Sequence, residues 1–370
     1  VSPTKPLSEE RREAFVRLIA KHTGIEIRAR DQASLSTKIF SRMKVLKLDS
    51  STAYYQLLES SNADSHQEWL DLLTLLTNGE SYFFRDTEQF SLLRNQILPE
   101  LIQQNQDSKT LRICSAGCSS GEEPYSIAIL LKELIPDLDQ WNLLILGVDI
   151  NQLAIEKAKK AIYSPWSFRN VDPNVKQQYF QLTHDRYKLD QSIKEMVHFQ
   201  ILNLIKDEFP QQNSELRNMD LIICRNVFIY FERSAIAKVI SKFHQTLKPV
   251  GYLLTGHAEL SNQNLNPFQI KVFPESLIYQ RPANDSATAP LPLTLGEQQS
   301  YYAENLSSDT DDDLGDNPHA GRSIRMQQIA LNLLRQLPPD TTIQKLGNLT
   351  AAELILQLET ELKTLDQELL

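Results

Sequence analysis

The chain has 370 residues, 41% of them hydrophobic, and a net charge of −9. That length exceeds one ordinary domain and supports a full core, while the acidic balance lacks the basic footprint of a nucleic-acid binder. No run of roughly 18 apolar residues is present to span a membrane, the opening VSPTKPLSEERRE has no apolar signal-peptide core, and three cysteines give no disulfide framework, so the expectation is a cytoplasmic protein without a metal site.

Residues 7–76 read as helices. Ser8 suits an N-cap, Phe15, Leu18 and Ile19 share a face, and Thr23-Gly24 closes the first helix. A second, over about 31–47, spaces Leu35, Ile39, Met43 and Leu46 for one buried face. Its other face carries Lys38, Arg42, Lys44 and Lys47, read as a solvated basic surface. Helices over 51–58 and 67–76 follow.

From residue 87 the pattern changes. LRICSA (111–116), LLILGVDI (143–150), MDLIICRN (219–226) and GYLLTGH (251–257) are short apolar runs of strand character. Helical segments over 122–134, 151–162 and 233–247 alternate with them, and VFPESLIYQR (272–281) closes the unit. The alternation predicts an α/β fold, a mostly parallel sheet with helices on both faces. Residues 175–203 break it, and short strands at Tyr187–Leu189 and Met196–Ile201 predict a small antiparallel insertion. Residues 283–322 form an acidic, Pro/Ser/Asp-containing linker that is expected to be disordered. The tail, 323–370, is amphipathic. Thr350 and Glu353 suggest a capping box, and Leu354, Leu358, Leu362, Leu365 and Leu369 form a stripe for an unknown partner or for the main domain. The expected division is thus 1–78 helical, 79–282 α/β with 175–200 as a β subdomain, then linker and tail.

Four segments carry chemistry. SAGCSSGEEPYS (115–126) joins a strand to a helix, and Gly117 and Gly121 allow a tight turn close to a ligand. It is not G-x-G-x-x-G, and Glu122 and Glu123 stand where a pyrophosphate would be repelled and a cation favoured. A helix-capping role for Glu122 is the plainer alternative. Asp149 ends a strand and suits a ribose diol, although it also suits an N-cap. In LIICRNVFIYFE (221–232), Arg225 and Asn226 turn abruptly polar at a strand end, with Tyr230 beyond. In GESYFFRD (79–86), Phe83 and Phe84 suit packing and Arg85 suits a reach into the cleft.

Together these segments resemble the CheR family of chemotaxis receptor methyltransferases. GESYFFRD, SAGCSSGEEPYSIA, GVDINQLAIEKAKKAIYS (147–164), FQILNL (199–204), LIICRNVFIYF and LKPVGYLLTGHAE (247–259) are similar to its segments in order and spacing. The resemblance covers about 7–282. Departures are Gly79 and Ser81 where many members carry Asn and Thr, and Val250 where Gly is common, which is expected to affect only the turn. The resemblance implies a Rossmann-like S-adenosylmethionine methyltransferase sheet, releasing S-adenosylhomocysteine. It implies a cofactor site lined by Gly79, Ser81, Arg85, Gly117, Glu123, Asp149, Asn203, Leu204, Arg225 and Asn226. Given such a reaction, Arg85 and Tyr230 are expected to position a receptor glutamate, and the resemblance favours Lys38, Arg42, Lys44 and Lys47 as contacts for acidic receptor helices. Two other readings fit parts of the pattern: a regulatory or scaffold module that binds S-adenosylmethionine, and an NAD-dependent oxidoreductase.

Overall fold

A computed structural model describes residues 7–77, 79–257, 259–260, 263–266 and 268–284, with 342–343, 349–350 and 356 of the tail. The first part is helical: α1 (Glu9–Thr23), α2 (Gln32–Val45), α3 (Ser51–Glu59) and α4 (Ala63–Leu76). Ser8 caps α1 by accepting from the Arg11 N–H, and Gly24 ends it in the left-handed conformation at φ 77°. Phe15, Ile19, Leu35, Ile39, Met43, Tyr54, Leu58, Trp69 and Leu72 close a core of their own. Helix α4 starts four residues earlier than its apolar spacing suggests, because Asn62 accepts from the Ser65 N–H and caps it there.

Next comes a helical stretch that the strand-helix alternation does not announce. Helices α5 (Thr87–Leu92) and α6 (Leu98–Gln104) are joined by a wider π turn at Leu93–Ile97. Beyond it run β1 (Thr110–Ala116), α7 (Glu122–Leu134), β2 (Asn142–Asp149), α8 (Gln152–Lys160), β3 (Ile162–Tyr163), α9 (Pro173–Tyr179), β4 (Phe180–Thr183), β5 (Arg186–Leu189), α10 (Gln191–Lys194), β6 (Val197–Ile201), β7 (Met219–Cys224), α11 (Arg233–Thr246), β8 (Leu247–Thr255), β9 (Gln269–Val272) and β10 (Leu277–Gln280).

The main sheet has the order β6-β2-β1-β7-β8-β10-β9. Its first five strands are parallel, and at the far edge β10 runs antiparallel to both of its neighbours, β8 and β9. Strand β7 is buried at every position, which explains its apolar run Leu221–Cys224. Its one acid, Asp220, is satisfied by the Arg112 N–H, the Asn105 side chain and Lys248. The small antiparallel sheet is β3-β5-β4. Two expectations change here. Met196–Ile201 does not belong to the insertion: β6 pairs in parallel with β2 at the edge of the main sheet. Residues 173–179 form a helix, started by Asp172 and Pro173, where none was read.

The helical and α/β parts belong to one compact unit. Ile150 and Phe231 of the α/β part pack against the helical core. Among the described residues no helix is long and apolar enough to cross a membrane. In the tail, Thr342–Ile343 pairs with Leu349–Thr350, and Glu353, the other half of the expected capping box, lies outside the described residues. The linker from residue 285 and the leucine stripe of the tail lie outside the described residues.

Candidate functional site

The chain builds β2 and β6 on one side of β1, and β7 and β8 on the other. That reversal opens a crevice at the carboxyl ends of the strands, where ligands of doubly wound sheets sit. The cleft is lined by the loops after β1, β2, β6 and β7, by residues 79–82 and Arg85, and by Thr23 and Ile25 of the helical part. Gly79, Ser81, Arg85, Gly117, Glu123, Asp149, Leu204, Arg225, Asn226 and Tyr230 all line it.

The turn after β1 needs its first glycine twice over. Gly117 has φ 75°, and a Cβ there would lie 2.3 Å from Val227 Cγ2. Asp149 Oδ2 accepts from the Ser119 N–H and Oδ1 from the Asn151 N–H, each at 2.8 Å. Burial raises the Asp149 pKa, and the backbone N–H groups of Asn151, Ser119 and Ile150 oppose that rise. The cap of α8 is Asn151, whose side chain accepts from the Ala154 N–H, so Asp149 is left to hold the turn and face the cleft.

The two glutamates separate. Glu123 lines the cleft, accepting from Ser115 Oγ at 2.7 Å and from Arg225 Nε at 2.8 Å. Glu122 is buried away from it, where Ser120 and Ser167 donate to its carboxylate. Burial raises the Glu122 pKa. The expectation of two free carboxylates facing a cation is therefore corrected: one faces the cleft, and an arginine already pairs with it. Nor does Glu122 cap α7, since Gly121 stands at that cap and no side chain bonds there.

Arg225 has only 4% of its side chain exposed. A buried guanidinium is tolerated only when matched, and each of its nitrogens has a partner. Nε donates to Glu123, Nη1 to Gln89 Oε1 at 2.9 Å, and Nη2 to the Arg85 carbonyl at 2.7 Å. It thereby ties β7 to the 79–86 segment. That segment is strained, with Phe84 at φ 52° and Asp86 at φ 64°. Phe83 anchors it by packing on Tyr163, Phe168 and Phe180. Arg85 is half-buried, donates to the Glu80 carbonyl at 3.2 Å, and lies 5.5 Å from the Tyr82 ring centroid. Gly79 contributes its carbonyl, which accepts from Ser119 Oγ at 2.9 Å.

Sequence reasoning missed three groups. Gln89 supports Arg225 and also donates to the Thr255 carbonyl. Glu259 accepts from the N–H groups of Gly256, Asn226 and Ile229, which fixes the loop after β7 with Asn226 at φ 59°. Burial raises its pKa, and those three N–H bonds and Arg225 oppose the rise. His257 Nε2 lies 2.7 Å from Asp86 Oδ2 at the N-cap of α5. Nothing in their spacing marks these residues, because each acts on a segment far away in the chain.

Other expected residues stand elsewhere. Asn203 is absent from the cleft lining: its side chain donates to the His22 carbonyl and accepts from the Ile205 and Lys206 N–H groups. Its neighbour Leu204 does line the cleft, with Leu202. Lys44 on α2 is exposed and Lys38 is half-buried, while Lys47 lies exposed in the turn beyond the helix, at φ 55°, because α2 ends at Val45. Arg42 is not part of a solvated face. It forms a two-pronged pair with Glu68, at 2.9 and 2.7 Å, and a further bond to Asp71 at 2.5 Å. The three cysteines are buried, and burial pushes their thiols up.

These residues suit an adenosine with a polar, charged end. A buried carboxylate stands at the strand end for a diol, and Leu202, Leu204, Ile150 and Ala154 offer an apolar wall for a base. The deep charges Glu123 and Arg225 neutralise one another.

Comparison with known proteins agrees. Residues 79–275 match the family profile described as CheR methyltransferase, SAM binding domain, and residues 12–77 match that of CheR methyltransferase, all-alpha domain. A chemotaxis protein methyltransferase of Borreliella burgdorferi is 33% identical over 68% of this chain and 88% of its own length. Chemotaxis protein methyltransferase 2 of Vibrio cholerae is 31% identical over 70% and 88%. The chemotaxis protein methyltransferase of Escherichia coli is 30% identical over 68% and 85%. The chain therefore belongs to the CheR methyltransferase family, and its cofactor is S-adenosylmethionine.

Proposed function

We propose that the protein methylates glutamate side chains on the cytoplasmic helices of methyl-accepting chemotaxis receptors, working in the cytoplasm. Bound S-adenosylmethionine supplies a methyl group on positively charged sulfur, and its transfer to a carboxylate forms a C–O bond, breaks a C–S bond and leaves S-adenosylhomocysteine. In this reading Asp149 takes the ribose hydroxyls, Leu204 borders the base, and Gly79, Ser81, Gly117 and Asn226 shape the walls. Glu123 and Arg225 act as a matched pair that holds the polar end of the cleft in place.

The observation that carries the substrate is the division of labour between two arginines. Arg225 has a protein partner for each nitrogen, while Arg85 spends one bond on a carbonyl at the cleft. Arg85 is thus the cation placed to meet an incoming anion, and the guanidinium fork suits a carboxylate. A glutamate, with a pKa of about 4.3, is already ionised at neutral pH, so the reaction needs no general base. What it needs is orientation. Arg85 and Tyr230, which is 42% exposed at the cleft, supply it. A loose grip is favourable, since the carboxylate loses its charge in the transition state and tight ground-state binding would raise the barrier.

The test is transfer of labelled methyl to a purified receptor cytoplasmic fragment. The label should be released by mild alkali, as an ester requires, and Arg85→Ala should cut turnover about tenfold or more, the scale of a lost positioning contact. Alkali-stable label, or full turnover by Arg85→Ala at saturating receptor, would overturn the reading.

A further inference from the structure

The loop after β7 leaves two large apolar side chains uncovered beside the cleft. Ile229 is 44% exposed and Tyr230 is 42% exposed. Their backbone is held from two sides. Glu259 accepts from the Ile229 N–H at 3.4 Å. From the helical part, Arg28 Nη2 donates to the Ile229 carbonyl at 3.0 Å, and the Glu26 N–H donates to the Tyr230 carbonyl at 2.8 Å. Ile25 bridges Phe231 in antiparallel fashion, and the Glu232 N–H donates to the Gly24 carbonyl at 2.9 Å. Residues 24–28 thus run alongside 229–232 as an added strand, with Ile25 turned into the cleft and Arg28 exposed on the rim.

An exposed Ile–Tyr pair gains nothing from water, yet here it is pinned rather than folded away. Arg28 is pinned as well. Its guanidinium has further donors, and no carboxylate among the described residues pairs with it. The result is a firm ledge, apolar with a cation at its edge, directly beside Tyr230. An amphipathic helix that carries glutamates fits that chemistry, with its apolar flank on Ile229 and Tyr230 and an acidic side chain on Arg28.

We infer that Ile229, Tyr230 and Arg28 form the docking ledge for the methyl-accepting helix, and that the connection between α1 and α2 builds the substrate site through Arg28. This rests on the receptor-glutamate reading above and names which surface of the chain takes the helix. It adds Arg28 as a cation for the acidic flank of the helix, beside Arg85 for the reacting carboxylate, whereas Arg42 is paired internally with Glu68 and Asp71.

The experiment uses the full chain, measuring binding and methylation of a purified receptor cytoplasmic fragment, with cofactor affinity followed separately by calorimetry. Ile229→Ser should weaken fragment binding about fivefold through lost apolar contact. Arg28→Ala should weaken it about two- to fivefold, the range for an exposed ion pair, and should reduce its salt dependence. Ile229→Leu should bind as the unaltered chain does, and Arg28→Lys should keep the salt dependence. Cofactor affinity should hold in all four. Fragment binding unchanged in Ile229→Ser and Arg28→Ala overturns the ledge, as does a parallel loss of cofactor affinity, which would make these residues cofactor wall. A fragment that binds through the ledge but receives no methyl would sink the glutamate reading and leave the ledge standing.

Discussion

The cleft and the helix α2 both carry arginines that look functional, and the two differ in how the surrounding residues announce burial. Arg225 directly follows the apolar run Leu221–Cys224 of β7, so its burial, and hence its need for partners, is legible before any contact is known. Arg42 sits on a helix face with Lys38 and Lys44, where spacing alone suggests solvent. Its partners, Glu68 and Asp71, come from α4, and α2 packs against α4 across that face. A charged helix face is a surface only if no other element covers it, and periodicity within one helix cannot say whether one does.

The largest expected effect lies in the cleft. Arg225→Ala strands Glu123, of which 14% is exposed, and removes the ties to Gln89 and the Arg85 carbonyl. Breaking a buried pair costs about 3–5 kcal/mol. Denaturant unfolding should show a loss in that range, and calorimetry should show cofactor binding abolished. A variant with near-normal stability would mean that Glu123 finds another partner, and the contrast with Arg42 would lose its basis.

The second effect falls on α2. Arg42→Ala leaves Glu68, 2% exposed, with only the Tyr54 hydroxyl at 2.6 Å. The expected loss is about 3 kcal/mol of stability. Replacing both Lys44 and Lys47 with alanine should change stability by less than about 0.5 kcal/mol. If Arg42→Ala proved harmless to folding and instead weakened receptor binding, the basic-face reading would return and the buried-pair account would fall.

Much of the fold is readable from the chain because it rests on local signals. Ser8 and Gly24 bracket α1, the apolar runs mark β1, β2, β7 and β8, and Gly117 marks the turn where a side chain would strike Val227. What escapes is non-local. The segment 197–201 is strand in either sheet, and only its pairing with β2 decides which. Asn203 follows that strand as a site residue would, yet its amide is taken by the His22 carbonyl, 181 residues earlier. Gln89 and Glu259 are ordinary polar residues until Arg225 and the loop after β7 come to meet them. The site residues visible in advance were those whose own neighbours in sequence make them anomalous.

Val250 provides the smallest effect, and a gain. Its place after Lys248-Pro249 reads as a turn of little consequence, where Gly is common in the family. The residue holds φ 60° within β8, a left-handed conformation that a β-branched side chain tolerates poorly. Its N–H donates to the Arg281 carbonyl and its own carbonyl accepts from Gln280 Nε2, so the backbone is fixed there from both sides. The side chain is 40% exposed, and trimming it forfeits little burial. Relief of strain, about 1–2 kcal/mol for a left-handed residue, therefore outweighs both the lost contact and the added freedom that glycine gives the unfolded chain. Val250→Gly should raise the melting temperature by about 2–4 °C, the shift for roughly 1 kcal/mol in a domain of this size, without changing cofactor affinity. A lower melting temperature would show that the Val250 side chain contributes more through packing than its backbone loses through strain.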